Sequence, residues 1–483
     1  MDFLNKIEYP VFKMVSEAAY RLGREVYVVG GYVRDIFLQR NSKDIDFVTV
    51  GSGIELASEV ARILGPKAKV SLFPNFGTAQ VKYKDLELEF VGARKESYHR
   101  ESRNPIVEDG TLEEDLTRRD FSINAMAISL SKNNYGTLID PFNGILHLNQ
   151  GLLVTPTDPD ITFSDDPLRM LRAIRFASQL RIPNSEDEWG NLKNFSLSSE
   201  TLEAIKRNVS RMEIITRERI NTELSKIMQS AKPSVGWKLL DQTGLLPYVF
   251  PFLLPLKGVE IVGGKGHKDN FHHTLQVVDN VALKSDNEWL RWAALLHDIA
   301  KPVTKKYDPL LGWTFHSHNF VGEKMVPSIF REMKMPLNDK MKYVAKLVGL
   351  HMRPQSVGET GVTDSGVRRL ITEAGEDIED LMILAESDIT SKKPEKVKAQ
   401  LEGFKKLRQR ISQINDADYL RNWKNPINGR EIIEKLGLKE GPQVAVLKDF
   451  IKEAILEGKI PYDHDAAWDF LLANLGPNKL PLK

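Results

Sequence analysis

Asp44 and Asp46 alternate with Ile45 and Phe47 in a run that reads as a β-strand, so both carboxylates point to one face while the apolar pair enters a core. Two carboxylates about 7 Å apart along a strand can hold divalent cations that activate an attacking oxygen and neutralise a triphosphate. A lone Asp-x-Asp reads more readily as a solvated strand face. Its neighbours change that reading. Val26 to Val29 form a short apolar strand, Gly30-Gly31 ends it with residues that let backbone approach a ligand, and a short helix over 32–38 carries Arg34. Backbone amides and a guanidinium beside paired carboxylates suit phosphates next to a metal. Further on, LELEFV sets Glu87 and Glu89 on one strand face, so one of them can add a third carboxylate. Alternating glutamates on an edge strand also serve as a solubility device.

The elements that must position these groups follow in order. An amphipathic helix is expected over 54–64, then strands over 70–73, 78–83 and 86–91, and a mobile loop from Lys95 to Gly110. The 483 residues suffice for about three domains. With 41% hydrophobic and 28% charged residues the composition is that of an ordinary globular protein. No apolar run approaches a membrane span and the N-terminus lacks a signal-peptide pattern, so no membrane is expected and a cytoplasmic location follows. Without cysteine, metal ligands must come from His, Asp and Glu. The net charge of +1 is uninformative, although residues 391–410 carry eight Lys or Arg against two Glu, a run that suits phosphates or a solvated helix face.

Gly30-Gly31-Tyr-Val-Arg34-Asp35 followed by Asp44-Ile-Asp46 resembles the head of the class II tRNA nucleotidyltransferases and bacterial poly(A) polymerases, in the DNA polymerase beta superfamily. The resemblance favours Glu89 as the third carboxylate, followed by Arg94. It continues through Arg118-Arg119-Asp120-Phe-Ser-Ile-Asn124, with Ser122 as a conservative departure. One of these arginines is expected to pair with Asp120 while Arg119 faces the nucleotide. A turn at Asp140 to Gly144 closes the head near residue 150.

Next, TFSDDPLRMLRAIRFASQL reads as a helix opened by Ser164, Asp165 and Asp166, with Met170, Leu171, Ile174 and Ala177 facing the core. An ion pair explains Asp166 with Arg169. Three successive arginines at 169, 172 and 175 repel one another unless an anion or a base edge lies between them. The stretch resembles the family's nucleotide-selecting motif, which implies that Asp166 and Arg169 meet the Watson-Crick edge, assisted by Arg172 and Arg175. Asp165 stands where the family more often has Glu. A carboxylate accepting from the exocyclic amine of cytosine or adenine, beside an arginine donating to a ring nitrogen or carbonyl, disfavours uracil and guanine. Glu218, Arg219 and Glu223, on a following helical pair over 200–228, fit a further family motif and equally an ordinary salt-bridged face.

Beyond Trp237 the order His273, His297-Asp298, His318, His351 and Asp388, each on or beside an apolar helical pattern, resembles the HD superfamily of metal-dependent phosphohydrolases. Neutral imidazole and carboxylate suit Mn, Ni, Mg or Fe, and His318 with His351 can complete a second metal position. His267, His272 and His316 read as bystanders. The segment from Asn425 resembles the helical tail of some bacterial relatives.

The expected fold is therefore α+β: a nucleotidyltransferase head with a DNA polymerase beta-like sheet (1–150), then an all-helical neck (151–232), HD body (233–415) and tail (416–483). The resemblance implies a template-independent enzyme that adds CCA to tRNA 3′ ends from CTP and ATP. Asp44 and Asp46 would hold Mg²⁺, with Gly31, Arg34 and Arg119 on the triphosphate. Poly(A) addition and A-only or CC-only addition share every motif quoted, and an HD phosphohydrolase with a merely binding head is a rival of another class. Oligomeric state is not legible.

Overall fold

The computed structural model describes residues 7, 9–97, 106–186, 192–262, 265–266, 269–359, 361–391, 393–414 and 418–481. The chain divides into two compact units, Met1–Pro251 and Phe252–Lys483.

The first unit is built on a seven-stranded sheet. Its strands are β1 (Val26–Val29), β2 (Asp44–Thr49), β3 (Lys69–Phe73), β4 (Thr78–Tyr83), β5 (Leu86–Gly92), β8 (Ala127–Ser129) and β9 (Leu138–Ile139), in the order β3-β4-β5-β2-β1-β8-β9. β2 and β5 run parallel and the other pairs antiparallel. The expected strands and helices of residues 26–92 all form, within a residue or two of their sequence bounds. Glu87 and Glu89 differ from expectation in one respect: β5 lies inside the sheet between β4 and β2, so they are not on an edge.

Pleating sends Ile45 and Phe47 to one face, where Phe47 stacks on Phe90 at 4.9 Å and meets Phe12 at 6.0 Å, all fully buried. Helices α1 (Pro10–Arg21), α2 (Gly31–Phe37) and α3 (Gly53–Leu64) belong to this unit, and Ser52 caps α3 by accepting from the Glu55 amide. The opposite face carries Tyr27, Val29 and Val48 packed with Leu116 and Ala125, and beyond them the β2 carboxylates.

The stretch read as a mobile loop contains a hairpin instead: β6 (Arg94–Ser97) pairs antiparallel with β7 (Ile106–Asp109), and residues 98–105 lie outside those described. Backbone pairing satisfies polar groups that a loop would leave to water, which the polar composition concealed.

The neck is mainly helical but not all-helical as expected, because Leu152–Leu153 pairs with Ser196–Leu197 and Arg181–Glu186 with Leu192–Asn194. Its opening differs from expectation. Ser164 and Asp165 end a helix (Pro159–Asp165), Asp166 is extended at φ −132° and ψ 99°, and a new helix starts at Leu168. Proline disfavours helical backbone in the residue before it, so the chain breaks at Asp166.

The second unit is helical, with small hairpins such as Lys306–Asp308 against Gly312–Thr314. Its last part has a core of its own, including Ile432, Leu447, Ile451, Trp468 and Leu471. In the basic run, Arg408 pairs with Glu379 and Glu386 and Arg410 with Asp364, while Lys396, Lys398, Lys405 and Lys406 stay exposed. Among the described residues no helix is long and apolar enough to cross a membrane.

Phe47→Ala should empty the contact between α1 and the sheet and destabilise the first unit by about 3–5 kcal/mol. Denaturant unfolding followed within residues 1–251 checks this, and a loss under 1 kcal/mol would contradict the packing described.

Candidate active site and metal centre

Parallel pairing of β2 and β5 sets Asp44 opposite Glu87 and Asp46 opposite Glu89. Lys82 at 2.7 Å and Gln80 at 3.2 Å occupy Glu87, whereas Glu89 stays with Asp46. Burial raises the Asp46 pKa, opposed by Arg119 and reinforced by Asp44. Burial and then the Asp46 charge raise that of Glu89. Grouped carboxylates that resist ionisation are a donor set suited to a hard divalent cation.

These carboxylates line a cavity of about 780 Å³ that also holds Gly31, Arg34, Arg119, Asp166, Arg169, Arg172, Arg175 and Arg219, whereas Arg94, Glu218 and Glu223, also singled out from the sequence, do not line it. Gly30 has φ +71°, and a Cβ there would sit 2.9 Å from Arg119 Nη1 and 3.4 Å from Asp46 Oδ2. Only glycine accepts both that backbone and that approach.

The ion pairs differ from expectation. Neither Arg118 nor Arg119 takes Asp120. Both converge on fully buried Asp115, at 3.0 Å from Arg118 Nε and 3.0 Å from Arg119 Nη2, which leaves Arg119 Nη1 toward Gly30 and Asp46. Asp120 instead accepts from Arg172 at 2.6 and 2.7 Å and from Asn124 at 2.9 Å. Burial would raise the Asp120 carboxyl, but Arg172 and Asn124 overcome it and hold it at about 2. Asp166 pairs with Arg219 at 3.4 Å and caps the Leu168 amide at 3.1 Å, and Arg169 donates to the Arg118 carbonyl at 2.7 Å, so Asp166 and Arg169 form no ladder. Arg175 meets buried Glu223 at 3.2 Å. Arg34 is held by Asp35 at 2.8 Å and Asn124 at 2.9 Å. The successive arginines are thus separated by carboxylates of other elements.

In the second unit, His273 lies in a helix (Asn270–Ala282), and His318 begins another (His318–Glu332). His297, His351 and Asp388 terminate the helices Glu288–Leu296, Asp339–Leu350 and Ile378–Ser387. Ligand atoms of His273, His297 and Asp388 gather within 4.8 Å of one another, as do those of Asp298, His318 and His351. The six expected residues therefore fall into two triads, bridged by Asp298 at 3.1 Å from His297 Nε2 and 3.3 Å from His318 Nε2.

Each Nδ1 is engaged behind the cluster: His297, His318 and His351 with the carbonyls of Ala294, Phe315 and Val348 at 2.7–2.8 Å, and His273 with the Thr390 hydroxyl at 2.8 Å. A carbonyl fixes the proton on Nδ1 and aims the Nε2 lone pair inward. His318 Nε2 and His351 Nε2 then face each other at 3.2 Å, and His297 Nε2 and Asp298 Oδ2 are buried with no well-formed hydrogen bond. Converging lone pairs of this kind fit divalent cations. Burial lowers His297, but Asp298 and Asp388 reverse this and hold it up at about 10, so that without a cation its Nε2 carries a proton that a bound cation would displace, whereas burial carries His351 down to about 4.

Lys301, one turn after Asp298 with its Nζ 2.6 Å from Asp298 Oδ2 in an ion pair, was missed, although its i+3 spacing signals the pair. His272 is exposed beside Asp269, His316 is exposed, and His267 lies outside the described residues.

Residues 26–154 match the poly A polymerase head domain, 194–256 the probable RNA and SrmB-binding site of polymerase A, and 270–392 the HD domain. The chain is 34% identical over 320 residues to the Multifunctional CCA protein of Shewanella frigidimarina, an overlap covering 65% of this chain and 70% of that one. It belongs to the CCA-adding tRNA nucleotidyltransferase family. As a member it is a nucleotidyltransferase, and the head and HD domains of its kind typically use divalent metals. A 184-residue stretch is 46% identical to the A-adding tRNA nucleotidyltransferase of Aquifex aeolicus, 38% of this chain and 20% of that protein, so the chain spans only part of some curated relatives. A solved tRNA nucleotidyltransferase complexed with a primer tRNA and an incoming ATP analog is 28% identical, with a TM-score of 0.56 over 82% of this chain and 98% of that one.

The depressed Asp120 carboxyl has a sign. Its folded value of about 2 lies below its ordinary 3.8, so the stability it contributes is complete above pH 4 and is lost as pH falls through about 2. Asp120→Asn should therefore cost the first unit about 2 kcal/mol at pH 7 and less at pH 3. Urea midpoints at both pH values check it, and an equal loss at both would contradict the assignment.

Proposed function

We propose that this chain adds CMP and AMP, from CTP and ATP, to the 3′ end of tRNA with release of pyrophosphate. The observation that carries this reading is one cavity holding the Asp44 and Asp46 carboxylates together with Asp166 and the arginine-bearing helix. Asp44 and Asp46, with Glu89 beside them, would hold Mg²⁺, which when bound would supply charge neutralisation and activation of the 3′ hydroxyl. That oxygen bonds to the α-phosphorus, and the bond to the pyrophosphate oxygen breaks. Such a transfer needs mainly positioning and electrostatics. Arg119 Nη1, Arg34 and the amides around Gly31 face the triphosphate. Asp166 offers an acceptor to the exocyclic amine of cytosine or adenine, Arg169 donates beside it, and Arg172 and Arg175 support that edge. On this reading the division is a head over 1–150, a neck over 151–232, an HD body over 233–415 and a tail over 416–483, working in the cytoplasm.

Asp46→Ala should lower incorporation of labelled CTP and ATP by at least about a thousandfold while tRNA affinity stays within about twofold. Incorporation near the wild-type rate would remove the metal assignment.

The converging lone pairs of the second unit favour a second activity, a metal-dependent phosphohydrolase acting on phosphoesters or cyclic phosphates at RNA ends, with Mn, Ni, Mg or Fe in the cluster. His273, His297, His318, His351, Asp298 and Asp388 hold the metal, and Asp298 bridges the two triads. His297→Ala with Asp298→Ala should abolish bound metal, read by elemental analysis, and hydrolysis of 2′,3′-cyclic phosphates, while nucleotide addition continues. Metal and hydrolysis untouched by that double change would overturn the assignment.

A further inference from the structure

Three guanidiniums of the first unit meet at one aromatic ring. The Cζ atoms of Arg34, Arg172 and Arg175 lie 5.2, 5.4 and 4.2 Å from the centroid of Phe176. These are distances at which the negative face of a ring attracts a cation. Phe176 is 5% exposed and lines the cavity, and Phe121 meets it edge-on at 5.8 Å with the planes at 89°. Phe176 is therefore not simply a core residue of its helix, because it falls one turn from Arg172 on the cavity side, away from the stripe of Met170, Leu171, Ile174 and Ala177.

The cations come from two places. Arg34 belongs to the short helix Gly31–Phe37 that follows β1, whereas Arg172 and Arg175 belong to the helix Leu168–Gln179. Gathered so closely they repel one another. Burial pushes Arg175 down to about 10, and the charges of Arg172 and Arg34 add to that push while Glu223 opposes it. Each cation has its own carboxylate, Asp35, Asp120 or Glu223, so the ring is what they share.

A hydrogen-bonded path runs beside the ring. Arg34 Nη1 donates to Asn124 Oδ1 at 2.9 Å, Asn124 Nδ2 donates to Asp120 Oδ1 at 2.9 Å, and Arg172 Nε donates to Asp120 Oδ2 at 2.7 Å. The two helices are thus tied twice, by a ring and by an amide. Networks of buried polar groups that are satisfied at every link move together rather than singly.

We propose that Phe176 and Asn124 are positioning residues that couple Arg34, at the phosphate end of the cavity, to Arg172, at its base end. A nucleotide that misplaces its base then also loses register at its phosphates, and discrimination exceeds what the base contacts alone supply. This rests on the reading of the cavity as a nucleotide site. It goes further by making selectivity a property of a ring and an amide that need not touch the base.

The test uses the full chain with Mg²⁺, calorimetric affinities for CTP and UTP, and incorporation measured in parallel. Phe176→Leu, which nearly keeps the volume, should shrink the preference for CTP over UTP about tenfold, and Phe176→Tyr, which keeps the ring, should restore it to within about twofold. Asn124→Leu should shrink the preference similarly, and the double variant should lose little more than either alone. A wild-type preference in folded Phe176→Leu overturns the proposal. So does an equal loss in Phe176→Tyr, which would assign the effect to packing. A wild-type chain that prefers CTP in binding yet adds no nucleotide would sink the transferase reading instead, and the same affinity ratios would still decide the coupling.

Discussion

Charge placed in a half-buried cavity must be balanced, because an unpaired buried ion costs several kcal/mol. That constraint organises the first unit. Arg118 and Arg119 share Asp115, Arg172 takes Asp120, Arg175 takes Glu223 and Arg34 takes Asp35. Asp44 and Asp46 are left without a hydrogen-bonding cation among the described residues, and it is there that burial and mutual repulsion press on a carboxyl. The arginines that remain partly open, Arg119 through Nη1 among them, lie on the same cavity. A structure that neutralises its arginines internally and leaves two aligned carboxylates for an outside cation is prepared for a polyanion that arrives with metal.

The second unit solves a similar problem with neutral donors. Helix ends leave backbone carbonyls without partners, and two of those carbonyls hold the Nδ1 protons of His297 and His351. The imidazoles that finish the helices are therefore also the ones whose tautomers are set. Asp298 and Asp388 bring the negative charge that neutral rings lack, and together the triads form a donor set for hard or borderline metals.

Much of this was legible in the sequence. Period-two alternation gave β2 and its two carboxylates, the Gly-Gly pair marked the end of β1, and helical periodicity placed His273, His297, Asp298, His318, His351 and Asp388 on or beside helices. What escaped was chosen over distance. Asp120 and Arg172 are 52 residues apart and no local pattern announces them as partners, whereas Asp115 stands three and four residues before its two arginines, where the helical spacing was available but Asp120 was nearer to hand. Glu87 and Glu89 are indistinguishable in LELEFV until the register with β2 and β4 gives one to Lys82 and the other to Asp46. The break at Asp166 follows from Pro167, which capping logic had placed inside the helix. Nothing local marks Phe176, because the guanidinium of Arg34 reaches it from another element.

The central claim concerns which nucleotides the cavity transfers, and in what order. The direct measurement offers purified protein three tRNA transcripts, lacking the last three, two or one nucleotides, with each labelled nucleoside triphosphate supplied separately and all four together. The account predicts incorporation of CTP into the first two, of ATP into the third, no use of UTP or GTP, and a halt once the terminal adenosine is in place. A lengthening adenosine tail, or a chain restricted to ATP alone or to CTP alone, would contradict it.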